Sequence, residues 1–183
     1  MLLAIPVFPR LSVLDAGGRY EVLQRLPDAD VVFIGHDVGP VRSDNGFLGI
    51  LADATFEEVA EPDVVVFPGG VGSRPLMEDE RVLAWLRSAH ATSQYTTSVC
   101  TGALVLGAAG LLDGLTATTH WGAYDLLSST GAQPVPERVV EHLDHDAILA
   151  AGFHPMRTEQ VYRVLFDQWP QTIAVPAVNL VEV

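Results

Sequence analysis

"YTTSVCTGALVLGAAG" occupies residues 95–110 and holds the only cysteine of the chain, Cys100. The first part, Gln94-Tyr95-Thr96-Thr97, reads as a strand. Residues 103–109 are continuously apolar and small, as expected of a buried helix. The longest apolar run, 102–112, is too short to span a bilayer, which takes about 20 residues. A thiol between a strand and a helix sits on a sharp turn, a nucleophile elbow. Such a turn tolerates only small neighbours, and Ser98 and Gly102 stand two residues away on either side. The first turn of the following helix presents unpaired N–H groups and a partial positive charge, which favour thiolate over thiol. The expectation is therefore a Cys100 with a lowered pKa.

Outward from the elbow the pattern alternates. Residues 2–7 form an apolar run, expected as a buried strand, and 12–26 a helix with Val13, Leu14, Val22, Leu23 and Leu26 as its apolar positions. Val31-Val32-Phe33-Ile34 is a second strand, stopped by Gly35. "PVRSDNGFLGILAD" (40–53) reads as two short strands turning at Asp44-Asn45-Gly46. "DVVVFPGG" (63–70) is a buried strand ending in a tight turn, and 76–90 an amphipathic helix. The acidic "MEDERV" (77–82) suits a solvated helix start. Beyond the elbow, "LTATTH" (115–120) reads as a strand, 121–130 as a helix, "RVVEHL" (138–143) and "AILAA" (147–151) as strands, and "RTEQVYRVLFDQW" (157–169) as a last helix. Strands alternating with helices imply βαβ units: an α/β sandwich, one domain over 1–183, with a mostly parallel sheet. Ligands in such folds bind at the carboxyl ends of the strands, near the point where strand order reverses. That places Asp15, Gly69-Gly70 and Cys100 together.

Composition bounds the function. A formal net charge of −13 with only ten Lys and Arg argues against a nucleic-acid surface or an anionic membrane as partner. A single cysteine permits no intrachain disulfide, and "MLLAIPVFPR" lacks the basic start of a signal peptide, so the expected compartment is the cytoplasm. The lone acid Asp15, in the apolar setting "SVLDAGG" (12–18), is the candidate proton donor to the thiol. A buried carboxyl has a raised pKa and retains its proton. Its bland alternative is an N-cap of the first helix. The backbones of Thr101 and Gly70 are candidates for an oxyanion hole, with Gly69 and Val71 beside them; the bland reading of Gly69-Gly70 is a plain turn. His120 is a candidate pocket residue or a satisfied strand-end histidine, and Trp121 is expected to pack in the core. "EHLDHD" (141–146) invites a metal reading through His142, Asp144, His145 and Asp146, but such runs are usually solvated loops; no metal and no cofactor is expected.

"TSVCTGALVLGAAGLLDGLTATTHW" (97–121) resembles the nucleophile segment of the ThiJ/PfpI superfamily, a group with a glutamine amidotransferase-like fold. Within it the segment is most similar to isonitrile hydratases and to ligand-sensing domains of some transcription activators. The resemblance extends through 13–31, 40–59 and 63–87 and covers about residues 1–140. It implies a flavodoxin-like three-layer sandwich, usually a homodimer. It also implies Cys100 as nucleophile, Asp15 as the paired acid, and Gly70 and Thr101 as oxyanion or pocket contacts. The expected activity is a lyase that converts an isonitrile to an N-substituted formamide. The alternative is a non-enzymatic sensor, whose exposed thiol oxidises to sulfenic or sulfinic acid or whose pocket binds a small ligand. Two departures stand out. The protease-like branch carries histidine directly after the cysteine, where this chain has Thr101, so peptidase or deglycase activity is not expected. Isonitrile hydratases carry a Thr-Ala-Gly-Ile-Asp stretch entering a helix that borders the pocket; here that place reads "AILAAGFHPMRTEQVYRVLF" (147–166), and 152–183 is divergent.

Overall fold

A strand with four consecutive apolar residues is stable only where both of its faces are covered. Val64–Phe67 is such a strand, all four residues buried, and it lies inside the central sheet. The structure, a computed structural model, describes residues 1–142 and 178–181. In chain order the strands are β1 (Leu2–Pro6), β2 (Asp30–Gly35), β3 (Gly39–Arg42), β4 (Gly49–Ala52), β5 (Ala54–Thr55), β6 (Val64–Phe67), β7 (Tyr95–Val99), β8 (Thr116–Ala117), β9 (Gln133–Pro134), β10 (Val139–His142) and β11 (Val178–Val181). The helices are α1 (Val13–Leu23), α2 (Ser73–Leu76), α3 (Glu80–His90), α4 (Gly102–Ala108) and α5 (Tyr124–Ser128), with a 3-10 turn at Trp121–Ala123.

Seven strands form the main sheet in the order β10-β11-β7-β6-β1-β2-β5. The pairs from β7 through β5 are all parallel, whereas β11 runs antiparallel to β7. The chain leaves β1 toward β2 on one side and returns through β6 and β7 on the other. Strand order therefore reverses between β1 and β6, and the crevice at their carboxyl ends is the expected binding position. α1 leaves the end of β1 there, and the Pro-Gly-Gly turn leaves the end of β6. The core is built on both sides of this sheet. Phe8 and Phe67 stack at 6.0 Å, and Leu3, Ile5, Leu104 and Leu106 are fully buried. Helix α4 is buried from Gly102 to Gly107 and touches β7 and α2, α3 and α5, which is why its sequence has no polar face.

Four sequence expectations change. The helix expected over 76–90 starts at Glu80, because Asp79 caps it: the Asp79 carboxylate accepts the N–H groups of Arg81 at 3.1 Å and Val82 at 3.3 Å. Residues 73–76 form a separate short turn of helix. The strand expected over 115–120 shrinks to Thr116–Ala117 and pairs with β9 in a small separate sheet, since Thr118 and Thr119 spend their hydroxyls on other loops. The helix expected over 121–130 divides into the 3-10 turn and α5. Leu14 points to solvent, not to the core. The 40–53 hairpin forms as β3 and β4, with Gly46 alone at positive φ. β11 was not expected from the sequence. The expected strand at 147–151, the expected helix at 157–169, and Asp144, His145 and Asp146 lie outside the described residues.

Asp79 does two things at once. Its second oxygen lies 2.7 Å from His36 Nε2 and ties the end of β2 to the start of α3. Asp79→Ala is expected to lower unfolding free energy by about 1–2 kcal/mol, the sum of a lost cap and a part-exposed ion pair. Asp79→Asn retains a capping oxygen and should lose less than half of that; urea titration of the three proteins measures both.

Candidate active site

The site begins with a backbone angle. Cys100 has φ +53°, in the left-handed region that a side-chain-bearing residue adopts at a cost of about 1 kcal/mol or more. Its neighbours hold it there. The Thr119 hydroxyl donates to the Cys100 carbonyl at 2.9 Å. Ser98 is fully buried on one side. On the other, Gly102 lies flush against the end of β6: a Cβ there would collide with the Phe67 carbonyl oxygen and come within 2.9 Å of that of Pro68. Glycine at position 102 is thus required by the space between β6 and α4.

Asp15, on the first turn of α1, is only 3 % exposed. It is not the cap of α1, a position that Ser12 occupies. Its Oδ2 accepts the Gly69 N–H at 3.1 Å, and its carboxyl hydrogen-bonds with the Cys100 thiol. A Cβ at Gly69 would stand 2.6 Å from the Thr101 nitrogen, 2.8 Å from its hydroxyl and 2.9 Å from Asp15 Oδ2. Glycine is needed because three polar groups of the site converge on that point. Asp15, Gly69, Gly70, Cys100 and Thr101 are therefore brought together as expected.

The electrostatics differ from the expectation for the thiol. Of the groups around the Cys100 sulfur, the N–H and the hydroxyl of Thr101 both favour the thiolate. Burial outweighs them, and the negative charge of Asp15 adds to it, so the Cys100 thiol is pushed up to about 11. Asp15 is also raised, by burial, against smaller downward pulls from Arg19, the Gly69 N–H, the Cys100 hydrogen bond and His120. Burial therefore holds both groups of the pair toward their protonated forms. The helix terminus expected to lower the cysteine pKa is real but loses to desolvation.

Gly70 also departs from expectation. Its N–H donates to the Thr101 hydroxyl at 2.9 Å, and that hydroxyl donates to the Gly70 carbonyl at 3.0 Å. The Gly70 amide is thus engaged by protein and holds the Pro-Gly-Gly turn onto the elbow. Val71 is exposed beside it. His120 is exposed, with Nδ1 accepting the Gly122 N–H at 3.2 Å, which leaves the proton of the neutral ring on Nε2. Trp121 is 79 % exposed, so the expectation that it packs in the core is wrong; its ring leans on His120 instead. The sequence reading passed over Thr119, whose position next to His120 was its only signal, and Arg19, one helical turn beyond Asp15. His142 Nε2 lies 2.7 Å from the Thr116 carbonyl oxygen, and no group of three metal-ligating side chains comes together among the described residues. No helix among them is long and apolar enough to cross a membrane. An open cleft of about 390 Å³ at the β2–β3 connection is lined by His36, Asp37 and Pro40 but contains neither Cys100 nor Asp15.

The elbow, the paired acid and the sheet order converge on one group of proteins, and the sequence profile of the DJ-1/PfpI family matches residues 3–154. The chain belongs to the DJ-1/PfpI family. It is 52 % identical over 134 residues to the isonitrile hydratase of Pseudomonas putida, an alignment taking in 73 % of this chain and 58 % of that protein. It is 32 % identical over 117 residues to the HTH-type transcriptional regulator CdhR of Pseudomonas aeruginosa, over 63 % of this chain and 34 % of the regulator. The crystal structure of a ThiJ/PfpI family protein from Pseudomonas syringae superposes with a TM-score of 0.72 at 38 % identity, covering 76 % of this chain and 58 % of that one. The chain thus spans less than two thirds of the length of these three proteins.

A thiol raised by its neighbours gives a distinctive pH profile. Alkylation of this DJ-1/PfpI protein by iodoacetamide is expected to keep rising with pH toward a midpoint near 11. Asp15→Asn removes the negative charge and should bring the midpoint down toward the ordinary thiol value of about 8.5. A wild-type midpoint at or below that ordinary value would contradict the burial argument.

Proposed function

We propose that this protein is a cysteine-dependent, isonitrile hydratase-like lyase that adds water to an isonitrile and releases an N-substituted formamide. The observation that carries the reading is the buried, hydrogen-bonded Asp15–Cys100 pair, with Thr101 where the protease-like branch has histidine. The 52 % identity to an isonitrile hydratase supports the same class.

The reaction needs one nucleophile and one proton that moves twice. Asp15 holds the thiol proton as the Cys100 sulfur adds to the terminal isonitrile carbon, and then delivers it to that carbon, giving a thioimidate, R–N=CH–S–Cys100. Water adds to the thioimidate carbon. Asp15 takes a proton from the water and passes it to the nitrogen. The tetrahedral adduct collapses, the C–S bond breaks, and R–NH–CHO leaves. The sulfur departs as thiolate and recovers the remaining hydroxyl proton through Asp15, so the pair returns to its starting state. The net change is R–NC plus water to R–NHCHO. This division into two steps is covalent catalysis with an acid/base partner. The Thr101 N–H, which favours the thiolate, stabilises the sulfur on attack and on departure. Val71 and His120 are assigned to the pocket wall.

The regulator relative favours a second reading, a domain that binds a small ligand at the same site without converting it. Turnover separates the two. Purified protein with a small alkyl isonitrile should yield the formamide by chromatography. Cys100→Ala should abolish it, and Asp15→Asn should slow it by about 10²–10⁴, the usual contribution of a positioned acid/base. Product formation unchanged in a folded Cys100→Ala protein would defeat the hydratase reading.

A further inference from the structure

Trp121 is held out of the core by a firm frame. On its N-terminal side the Thr118 hydroxyl donates to the Glu137 carbonyl at 2.6 Å and the Thr119 hydroxyl to the Cys100 carbonyl at 2.9 Å. On its other side Ala123 is buried. The indole leans on the His120 imidazole, with ring centroids 5.1 Å apart and planes at 33°. Trp85 shows the alternative: it is 7 % exposed and donates its indole N–H to the Val59 carbonyl at 2.8 Å. An indole buries on the order of 150–250 Å² when it packs, so one that stays in solvent on a fixed loop forgoes a large stabilisation. Its location accounts for this. Thr119 is hydrogen-bonded to Cys100 itself, and His120 acts electrostatically on Asp15. The imidazole–indole pair therefore stands on the loop that is tied to the elbow.

The rest of the rim has the same character. Among the exposed large apolar side chains, Leu14 precedes Asp15, Val71 follows Gly70 and Trp121 follows His120. The floor of the site is polar and buried, and the chain positions next to it are apolar and open. A matching ligand has a small polar reactive end and an apolar outer end.

We propose that Trp121 is a specificity-determining residue whose indole face, backed by His120, receives an aromatic substituent of the substrate. The proposal rests on the hydratase reading and names its substrate class: isonitriles with a flat apolar group. The C≡N–R unit is linear, so an isonitrile whose carbon touches the Cys100 sulfur projects its substituent straight away from the thiol, toward the rim.

The test compares benzyl with methyl isonitrile. The ratio of their kcat/KM values should fall about tenfold in Trp121→Ala and return to within about threefold of wild type in Trp121→Phe, as expected of ring stacking. A ratio unchanged in Trp121→Ala overturns the proposal, as does an unchanged ratio with loss of a dimer, which would assign the indole to a second copy. If wild-type protein makes no formamide from either compound, the hydratase reading falls, and the rim is tested by binding. N-benzylformamide should then quench tryptophan emission in wild type but not in Trp121→Phe, which retains the other two indoles, and N-methylformamide should not. Equal responses, or none, overturn it.

Discussion

Cys100 is held at φ +53° between the ends of two parallel strands, and the rest of the site depends on that turn. β6 and β7 pair in register up to Phe67 and Ser98, so their chains leave the sheet side by side. One leaves through Pro68-Gly69-Gly70, the other through the cysteine. A normal helical entry would carry the thiol away from the crevice. The left-handed residue reverses the chain at once, and α4 starts against the end of β6 with no room for a Cβ at Gly102. The strain at residue 100 persists because α4 is buried along its length, and its apolar packing outweighs about 1 kcal/mol of backbone cost.

That placement creates the electrostatic problem on which the chemistry turns. Bringing Cys100 beside Asp15 in a desolvated crevice makes two negative charges prohibitively expensive, so the pair retains a proton. A thiol pushed up to about 11, by burial first and by Asp15 second, is a poor spontaneous nucleophile, but Asp15 is also the base that can take its proton. The same burial keeps the Asp15 carboxyl more basic than a solvated one. Polarisation of the pair by an incoming electrophile then replaces permanent ionisation. An arrangement of this kind holds little standing thiolate, which is what a peroxide-sensing thiol relies on.

Much of this was legible in the sequence because it depends on local pattern. Apolar runs of strand length between helical segments gave the parallel sheet, and the small residues around Cys100 gave the elbow. Asp15 and Gly69-Gly70 were found because each follows a strand end, and strand ends share one edge. What was not legible depends on competition between distant groups. The helix dipole at Cys100 can be read along the chain; the desolvation that overrides it requires knowing what covers the thiol. Trp121 looked like core because indoles usually are, and only the fixed loop from Thr118 to Ala123 reveals that it is held outside. β8 shortened because the hydroxyls of Thr118 and Thr119 bond to Glu137 and Cys100, partners 19 residues away in each direction.

Thr101 shows how one side chain narrows the chemistry. Its hydroxyl accepts the Gly70 N–H and donates to the Gly70 carbonyl, so it joins the Pro-Gly-Gly turn to the elbow, while its N–H supports the thiolate. A histidine there, as in the protease-like branch, would put a second base beside the thiol and compete with Asp15 for the single proton. It would also place a bulky ring where a mere Cβ on Gly69 would already stand 2.8 Å from the Thr101 hydroxyl. Threonine supplies hydrogen bonds without a titrating group, so proton traffic passes through Asp15 alone. A reaction that puts one proton on carbon and later recovers one from water is well matched to a single carboxyl. Peptide cleavage asks for more: a protonated base must reach the departing amine. The residue after the cysteine is thus where the proposed addition chemistry and peptide cleavage would part on one fold.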